Sequence, residues 1–236
     1  MSGRVVVDLD AFDAMIARSG VTVALDRRAH RAIVPVGAVA RAYARLLGDD
    51  RAMIAASYAF QSIVSRLAGP LLAGAVLLGC APRFELDDVR WAEGALGPTI
   101  GAGRPAIDVV TPGAALDQSL RFVTELAAIV RDEVRVARRL LAGNAAAAML
   151  ATVRRLDAVD GVDRVACRDL AGRIVTELGD PAVAVLVDVD GWATFHRRTC
   201  CLLRFAGARG VCDECSLLRG TGFVDAQRAL RVTLHR

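Results

Sequence analysis

Four of the six cysteines in this 236-residue chain lie within sixteen consecutive positions. Two are adjacent, ten residues follow, and the last two are separated by an Asp-Glu pair; they are Cys200, Cys201, Cys212 and Cys215. Cysteines spaced in this way can form disulfides, hold one metal ion, hold an iron–sulfur cluster or act as free redox thiols. Thiolates repel one another unless a cation or a cluster neutralises them, so a metal centre is a natural outcome of such crowding.

The disulfide alternative depends on the cellular compartment. The N-terminal stretch MSGRVVVDLDAF has acidic residues where a signal peptide would have an apolar core. The most apolar run, residues 67–82, is shorter than the roughly 20 residues that a membrane-spanning helix needs, and Pro70 interrupts it. We therefore expect a cytoplasmic protein without a transmembrane segment, and stable structural disulfides are uncommon in that compartment.

Spacing distinguishes the two metal alternatives. The two-residue gap between Cys212 and Cys215 lets both sulfurs approach one metal from a tight turn. Cys200 and Cys201 are adjacent, and adjacent side chains of an extended chain point in different directions, which suits a single tetrahedral zinc poorly. A [2Fe–2S] cluster takes four ligands on two separate irons. The spacing therefore favours this cluster over zinc, and zinc over free redox thiols.

The cysteine segment also carries a resemblance to a known family. The stretch RRTCCLLRF…VCDEC resembles the signature of the FhuF-like ferric siderophore reductases, and RLAGPLLAGAVLLGCAPRFELDDVRW is similar to an upstream region of that family. The resemblance implies that Cys200, Cys201, Cys212 and Cys215 bind a [2Fe–2S] cluster. It also implies an oxidoreductase that transfers one electron to a ferric siderophore in the cytoplasm and releases ferrous iron for assimilation.

Arginines surround the cysteines, with Asp213 and Glu214 as the nearby acids. Possible electrostatic docking residues are Arg197, Arg198, Arg204 and Arg209. Positive charge near a cluster favours its reduced form and attracts anionic partners, whereas the alternative is an ordinary solvated surface. No nicotinamide, flavin or phosphate-loop motif is recognisable, and residues 97–103 are expected to form an ordinary glycine-rich loop. An external electron donor such as a ferredoxin is therefore expected.

Other functional classes have less support. The net charge of +4 is modest, and acidic residues are interleaved with the arginines, which argues against a nucleic-acid partner. A zinc-stapled interaction protein and an iron–sulfur sensor without reductase activity stay open as alternatives. A thiol oxidoreductase based on Cys212 and Cys215 would lack the βαβ pattern that usually accompanies such a motif. Cys80 and Cys167 are expected to be buried structural thiols.

Periodicity predicts the elements that position these residues. Strands are expected at residues 4–9, 21–25, 84–91 and 106–110, and residues 182–192 are ambiguous between strand and buried helix. Helices are expected at residues 36–47, 50–68, 70–79, 116–141, 145–156, 164–178 and in the last fourteen residues, with short helical turns in residues 10–20. Gly143 and Asn144 predict a helix stop, and Asp49 or Asp50 a helix cap.

These elements predict an α+β fold with a helix-rich body, a small antiparallel sheet and a compact C-terminal iron–sulfur segment. We expect residues 1–190 to form the body, which is the candidate siderophore-docking domain. Residues 191–236 are expected to form the [2Fe–2S]-binding segment.

Overall fold

The computed structural model describes residues 31–33, 35–94, 98–102, 106–179, 183–206 and 212–234, together with Phe12, Ala14 and Ile16. The helices are α1 (Gly37–Leu47), α2 (Ala52–Leu78), α3 (Pro112–Glu133), α4 (Arg138–Asp157), α5 (Arg164–Glu177) and α6 (Thr221–Leu234). The strands are β1 (Arg31–Ala32), β2 (Cys80–Arg83), β3 (Val89–Ala92), β4 (Thr99–Ala102), β5 (Ala106–Val109), β6 (Ala184–Val189) and β7 (Trp192–Arg197). The strands expected at residues 4–9 and 21–25 lie outside the described residues.

The predicted α+β class is confirmed: helices dominate, and the described residues form three small antiparallel sheets in place of the one expected. One sheet has the order β1-β3-β4, and the pairs β2–β5 and β6–β7 form the other two. The glycine-rich region expected to be a loop contains β4, which pairs with β3 so that Ile100 lies opposite Trp91. The expected strand at residues 84–91 is shorter, because Leu86–Asp88 forms a 3-10 turn before β3.

The long helix α2 forms the centre of the core and packs against α1, α3 and α4. The expectation of two helices separated at Pro70 is wrong, since α2 continues through this residue for 27 residues in all. Proline removes one helical hydrogen bond, but Leu67, Leu71 and Leu72 around it are fully or almost fully buried, and this packing supports the helix. The helix α2 is long and apolar enough to cross a membrane, yet 61% of its apolar 18-residue stretch is buried inside the protein.

The ends of α2 follow the prediction in part. The helix ends at Gly79 as expected, and this glycine has a left-handed backbone, at φ +65°. The N-cap is Arg51, without a side-chain cap bond, so the predicted capping role of Asp49 or Asp50 is wrong. Asp49 instead accepts a hydrogen bond from the backbone N–H of Arg51 at 3.0 Å.

The boundary between α3 and α4 lies earlier than expected. The chain leaves the helix at Val134, and α4 then runs without interruption through Gly143 and Asn144 to Asp157. Both residues are buried among alanines, so they are interior packing positions and not the predicted helix stop. Their location matters for the cysteine segment, which lies against this part of α4.

The segment expected to be ambiguous, residues 182–192, contains β6 and joins β7 in an antiparallel hairpin. Its two-residue turn, Asp190 and Gly191, has φ values of +54° and +76°, as a tight turn between twisted strands requires. This hairpin crosses the expected boundary between residues 190 and 191, so the body and the C-terminal segment share one sheet.

Candidate metal centre

The cysteine segment follows β7, in the order Thr199, Cys200 and Cys201. Leu202 then adopts a left-handed backbone, at φ +67°, which turns the chain into a short 3-10 turn at Leu203–Phe205. Residues 207–211 lie outside the described part of the chain. Cys212 and Cys215 occupy a tight turn in which the N–H of Cys215 donates to the carbonyl of Cys212 at 2.9 Å.

The sulfurs of Cys201 and Cys212 are close enough to hydrogen-bond each other. The two adjacent cysteines have different surroundings, as expected: Cys201 is buried, whereas Cys200 is half-buried and its sulfur accepts from the N–H of Leu202 at 3.4 Å. Cys215 is buried. Within the described ranges, no group of three or more His, Cys, Asp or Glu side chains is arranged to hold a metal ion.

Cys201 and Cys212 shift each other's pKa in opposite directions. The hydrogen bond with Cys212 is the largest influence on the pKa of Cys201 and lowers it to about 6; burial opposes this effect and the positive charge of Arg197 adds to it. The same hydrogen bond, together with burial, raises the pKa of Cys212. The contact therefore favours ionisation of Cys201 over ionisation of Cys212, and the thiolate is the form of cysteine that binds a metal.

Arg197 supplies the positive charge at this pair. It is only 2% exposed, although arginine is rarely buried without a paired acid. The contacts of its guanidinium in the described structure are to amide oxygens: Asn144 at 2.5 Å and Gln61 at 3.4 Å. Its Nε has no hydrogen-bond partner there. No carboxylate is among these contacts, and the charge of Arg197 helps to lower the pKa of Cys201.

A buried chain of hydrogen bonds connects Arg197 to the backbone of Cys201. Asn144 accepts from Arg197 and donates to the hydroxyl of Ser57 at 2.8 Å. Ser57 then donates to the carbonyl of Cys201 at 3.0 Å. Ser57 and Asn144 are both 0% exposed, so α2 and α4 hold the first cysteine pair through fully desolvated polar contacts.

Gly143 explains how the cysteine segment approaches α4 so closely. A Cβ atom at this position would lie 1.7 Å from Oγ1 of Thr199 and 2.8 Å from its Cβ. Every other residue type would therefore displace the backbone immediately before Cys200. The glycine is required for the close approach of two chain segments, in the interior of a helix where glycine is otherwise unfavourable.

Glu214, which precedes Cys215, anchors the turn that contains Cys212 and Cys215. Glu214 forms an ion pair with Arg154 of α4 at 2.5 Å, and the Arg154 side chain is 6% exposed. The carbonyl of Glu214 accepts from the N–H of Arg197, and that of Asp213 accepts from Gln227 of α6 at 2.8 Å. The turn at Cys212 and Cys215 is thus tied to α4, β7 and α6.

The predicted docking arginines fall into three groups. Arg198 and Arg204 are exposed, as a docking role requires. Arg197 is buried, so its expected role as a surface docking residue is wrong and its charge acts on the cysteines instead. Arg209 lies outside the described residues.

Cys80 and Cys167 are buried thiols on β2 and α5. Burial raises the pKa of Cys80. Burial, followed by the charges of Asp157 and Asp163, raises the pKa of Cys167 to about 11. Both thiols are therefore protonated at neutral pH, which disfavours metal coordination.

Known proteins provide no template for this site. No family model, curated protein or solved structure matches this chain. The chemistry has to be inferred from the residues themselves.

Several positioning residues were not recognised from the sequence, namely Ser57, Asn144, Arg154 and Glu214. One signal was available: Asn144 follows Gly143 and precedes four alanines in an apolar stretch, where a polar amide needs a buried partner. That partner is Arg197, which lies 53 residues further along the chain. No residue near Asn144 in the sequence indicates this contact.

Proposed function

We propose that this protein is a cytoplasmic ferric siderophore reductase of the FhuF-like kind. It would hold a [2Fe–2S] cluster on Cys200, Cys201, Cys212 and Cys215. The observation that carries the proposal is the buried Arg197 beside the Cys201–Cys212 pair, without a carboxylate among its described contacts. A buried cation of this kind calls for a negative centre next to it, and a thiolate-ligated cluster is such a centre.

The residues fit the group in three respects. The chain supplies four thiols, the number and type of donor that a [2Fe–2S] cluster requires, although the described geometry gathers no three of them at one point. The pKa of Cys201 is lowered to about 6 by Cys212 and Arg197. The N–H of Leu202 donates to the sulfur of Cys200, and such donors are among the factors that raise a cluster's reduction potential. Cys200 and Cys212 are half-buried, so the site reaches the protein surface.

A bound cluster would supply one electron at a time. The chain's own residues hold its ligands: Ser57 and Asn144 act at the first cysteine pair, and Glu214 at the second. Arg197 stabilises added negative charge at the site because its guanidinium is buried and weakly screened.

Release of iron follows from ligand hardness. The ferric ion of the siderophore gains one electron and becomes ferrous, and the hard oxygen ligands hold ferrous iron far less tightly. No proton transfer or nucleophile is needed. One electron from an external donor, such as a reduced ferredoxin, replaces each electron that is consumed.

Purification without air tests the proposal directly. We expect red-brown protein with iron and acid-labile sulfide in equal amounts, visible absorption bleached by dithionite, and a paramagnetic resonance signal in the reduced state. After removal of dithionite, addition of a ferric siderophore should restore the absorption while a ferrous-specific chelator records the released iron. Colourless protein that contains zinc alone would contradict the proposal and support the zinc-stapled alternative.

A further inference from the structure

A cleft of about 370 Å³ lies between the β6–β7 hairpin and the residues that follow Cys215. On one wall, Arg198 precedes the first cysteine pair by two residues; on the other, Ser216 directly follows the last cysteine. The N–H of Arg197 donates to the carbonyl of Glu214 at 3.1 Å, which brings the two chain segments together. The cleft therefore opens immediately beside both halves of the cysteine segment.

The exposed charge in this cleft is positive. Arg198 and Arg219 line its two walls with exposed side chains, and neither forms an ion pair among the described residues. Asp213 and Glu214, the acids of the neighbouring turn, do not line the cleft, and Glu214 is paired with Arg154 at 2.5 Å. Two arginines without an acid of their own are available to a negatively charged partner.

An exposed apolar side chain accompanies these arginines. Leu217 is 49% exposed and lies between Ser216 and Leu218, which both line the cleft. The wall behind it is fixed, because Nε2 of His196 donates to the carbonyl of Leu218 at 2.8 Å and the His196 ring lies edge-on to Phe223. A large exposed apolar group beside unpaired arginines is typical of a surface that contacts another protein, with an apolar centre and a charged rim.

We infer that Arg198, Arg219 and Leu217 form the docking surface for the electron donor, and that this donor is an acidic electron-transfer protein of the ferredoxin type. Carboxylates of the donor pair with the two arginines, and Leu217 contacts an apolar patch between those carboxylates. One electron leaves the reduced donor, which becomes oxidised, and reduces the centre at the cysteines by the same amount. The partner's role as electron donor rests on the proposed function, whereas the preference for an acidic protein surface rests on the cleft.

Binding can be measured without electron transfer when both proteins are oxidised. Calorimetric titration of the full-length protein with an oxidised acidic [2Fe–2S] ferredoxin should give a one-to-one complex whose affinity falls as salt is added. A basic electron carrier, cytochrome c, should not bind. Arg198→Gln and Arg219→Gln should each weaken ferredoxin binding roughly 5-fold, as loss of one exposed ion pair does, and should reduce the salt dependence.

Leu217→Ser separates the apolar contact from the charges. It should also weaken ferredoxin binding roughly 5-fold, because less apolar surface is buried in the complex, but the salt dependence should match that of the unmodified protein. Arg131→Gln is the matched control, because it removes one exposed arginine from α3, which carries none of the four clustered cysteines. It should leave the ferredoxin affinity unchanged, and thermal melting should verify that every variant folds.

Full ferredoxin affinity in both cleft arginine variants, or equal binding of ferredoxin and cytochrome c, would overturn the inference. Comparable affinity for a short DNA duplex would overturn it as well, since the surface would then bind polyanions in general. Arginine-dependent ferredoxin binding by protein that lacks a cluster would sustain the docking surface and refute the reductase. A working reductase whose cleft variants bind ferredoxin normally would do the opposite.

Discussion

Nη2 of Arg197 donates to Oδ1 of Asn144 over 2.5 Å, and this bond joins the end of β7 to the buried face of α4. Because Asn144 is neutral, the bond orients the guanidinium without cancelling its charge. The charge is therefore left to act on Cys201, which lies next to it.

Asn144→Asp should lower the reduction potential of the proposed cluster. The substitution keeps the shape of the side chain but adds a buried negative charge that pairs with Arg197, and we expect a decrease on the order of 50 mV. A redox titration followed by visible absorption measures it. Arg131→Gln changes the net charge by the same amount at an exposed position, where screening should keep the shift below about 10 mV. Equal shifts in the two variants would show that Arg197 exerts no specific effect.

Gly143→Ala should destabilise the protein by about 2 kcal/mol, because the added Cβ overlaps Thr199 and no void receives it. Gly172→Ala in α5 is the control: nothing lies within 4 Å of its Cβ, so the better helix propensity should stabilise the protein by about 0.5 kcal/mol. Urea unfolding followed by circular dichroism measures both. Thr199→Ala in the Gly143→Ala background should recover only part of the loss, since the Cβ of residue 199 remains. An unchanged free energy of unfolding in Gly143→Ala would contradict the close approach of Gly143 and Thr199.

Glu214→Gln should cost about 3 kcal/mol of unfolding free energy, because it leaves the buried Arg154 without its acid. Asp213→Asn is the control, because it alters the adjacent exposed acid while the backbone carbonyl of residue 213 still accepts from Gln227. The free energy of unfolding should change by no more than about 0.5 kcal/mol. Adding Arg154→Met to Glu214→Gln should restore part of the stability. Additive losses in this double-mutant cycle would contradict the coupling of the two residues.

Serine at position 200, 201, 212 or 215 should abolish or severely distort the visible spectrum of protein purified without air. Serine at position 80 or 167 should leave the spectrum unchanged, since those thiols are buried on β2 and α5 and their raised pKa values keep them protonated. Iron analysis and paramagnetic resonance provide the measurement. Loss of the spectrum in Cys80→Ser but not in Cys201→Ser would invalidate the ligand assignment.

Cys167 should resist alkylation in the folded protein. Its pKa of about 11 leaves it protonated at pH 8, and the thiolate that attacks the reagent forms only as the pH rises toward that value. Mass spectrometry after brief iodoacetamide treatment at pH 8 should find Cys167 unmodified in native protein and modified in denaturant. Rapid modification in the native state would show that the burial is incorrect.

Much of the local structure was predictable because its causes are local. Apolar residues at helical spacing predicted α1, α5 and α6, and Gly79 and Gly179 ended helices where expected, each with a positive φ. The Cys212–Cys215 spacing predicted a tight turn, and the structure has one. The divergent surroundings of Cys200 and Cys201 also follow from their adjacency.

The errors arose where tertiary contacts override a local signal. Gly143 and Asn144 are residue types that commonly end a helix, but Thr199 and Arg197 pack against them and keep them inside α4. Proline commonly begins a helix, but the residues around Pro70 are buried, and their packing maintains one continuous helix.

The sequence by itself determined the set of thiols, their spacing and the helical character of the chain. Only the tertiary structure decided that one arginine of the basic cluster is buried beside them while Arg198 faces an open cleft. Burial depends on contacts between residues far apart in the chain, and a charge acts strongly only where those contacts exclude water.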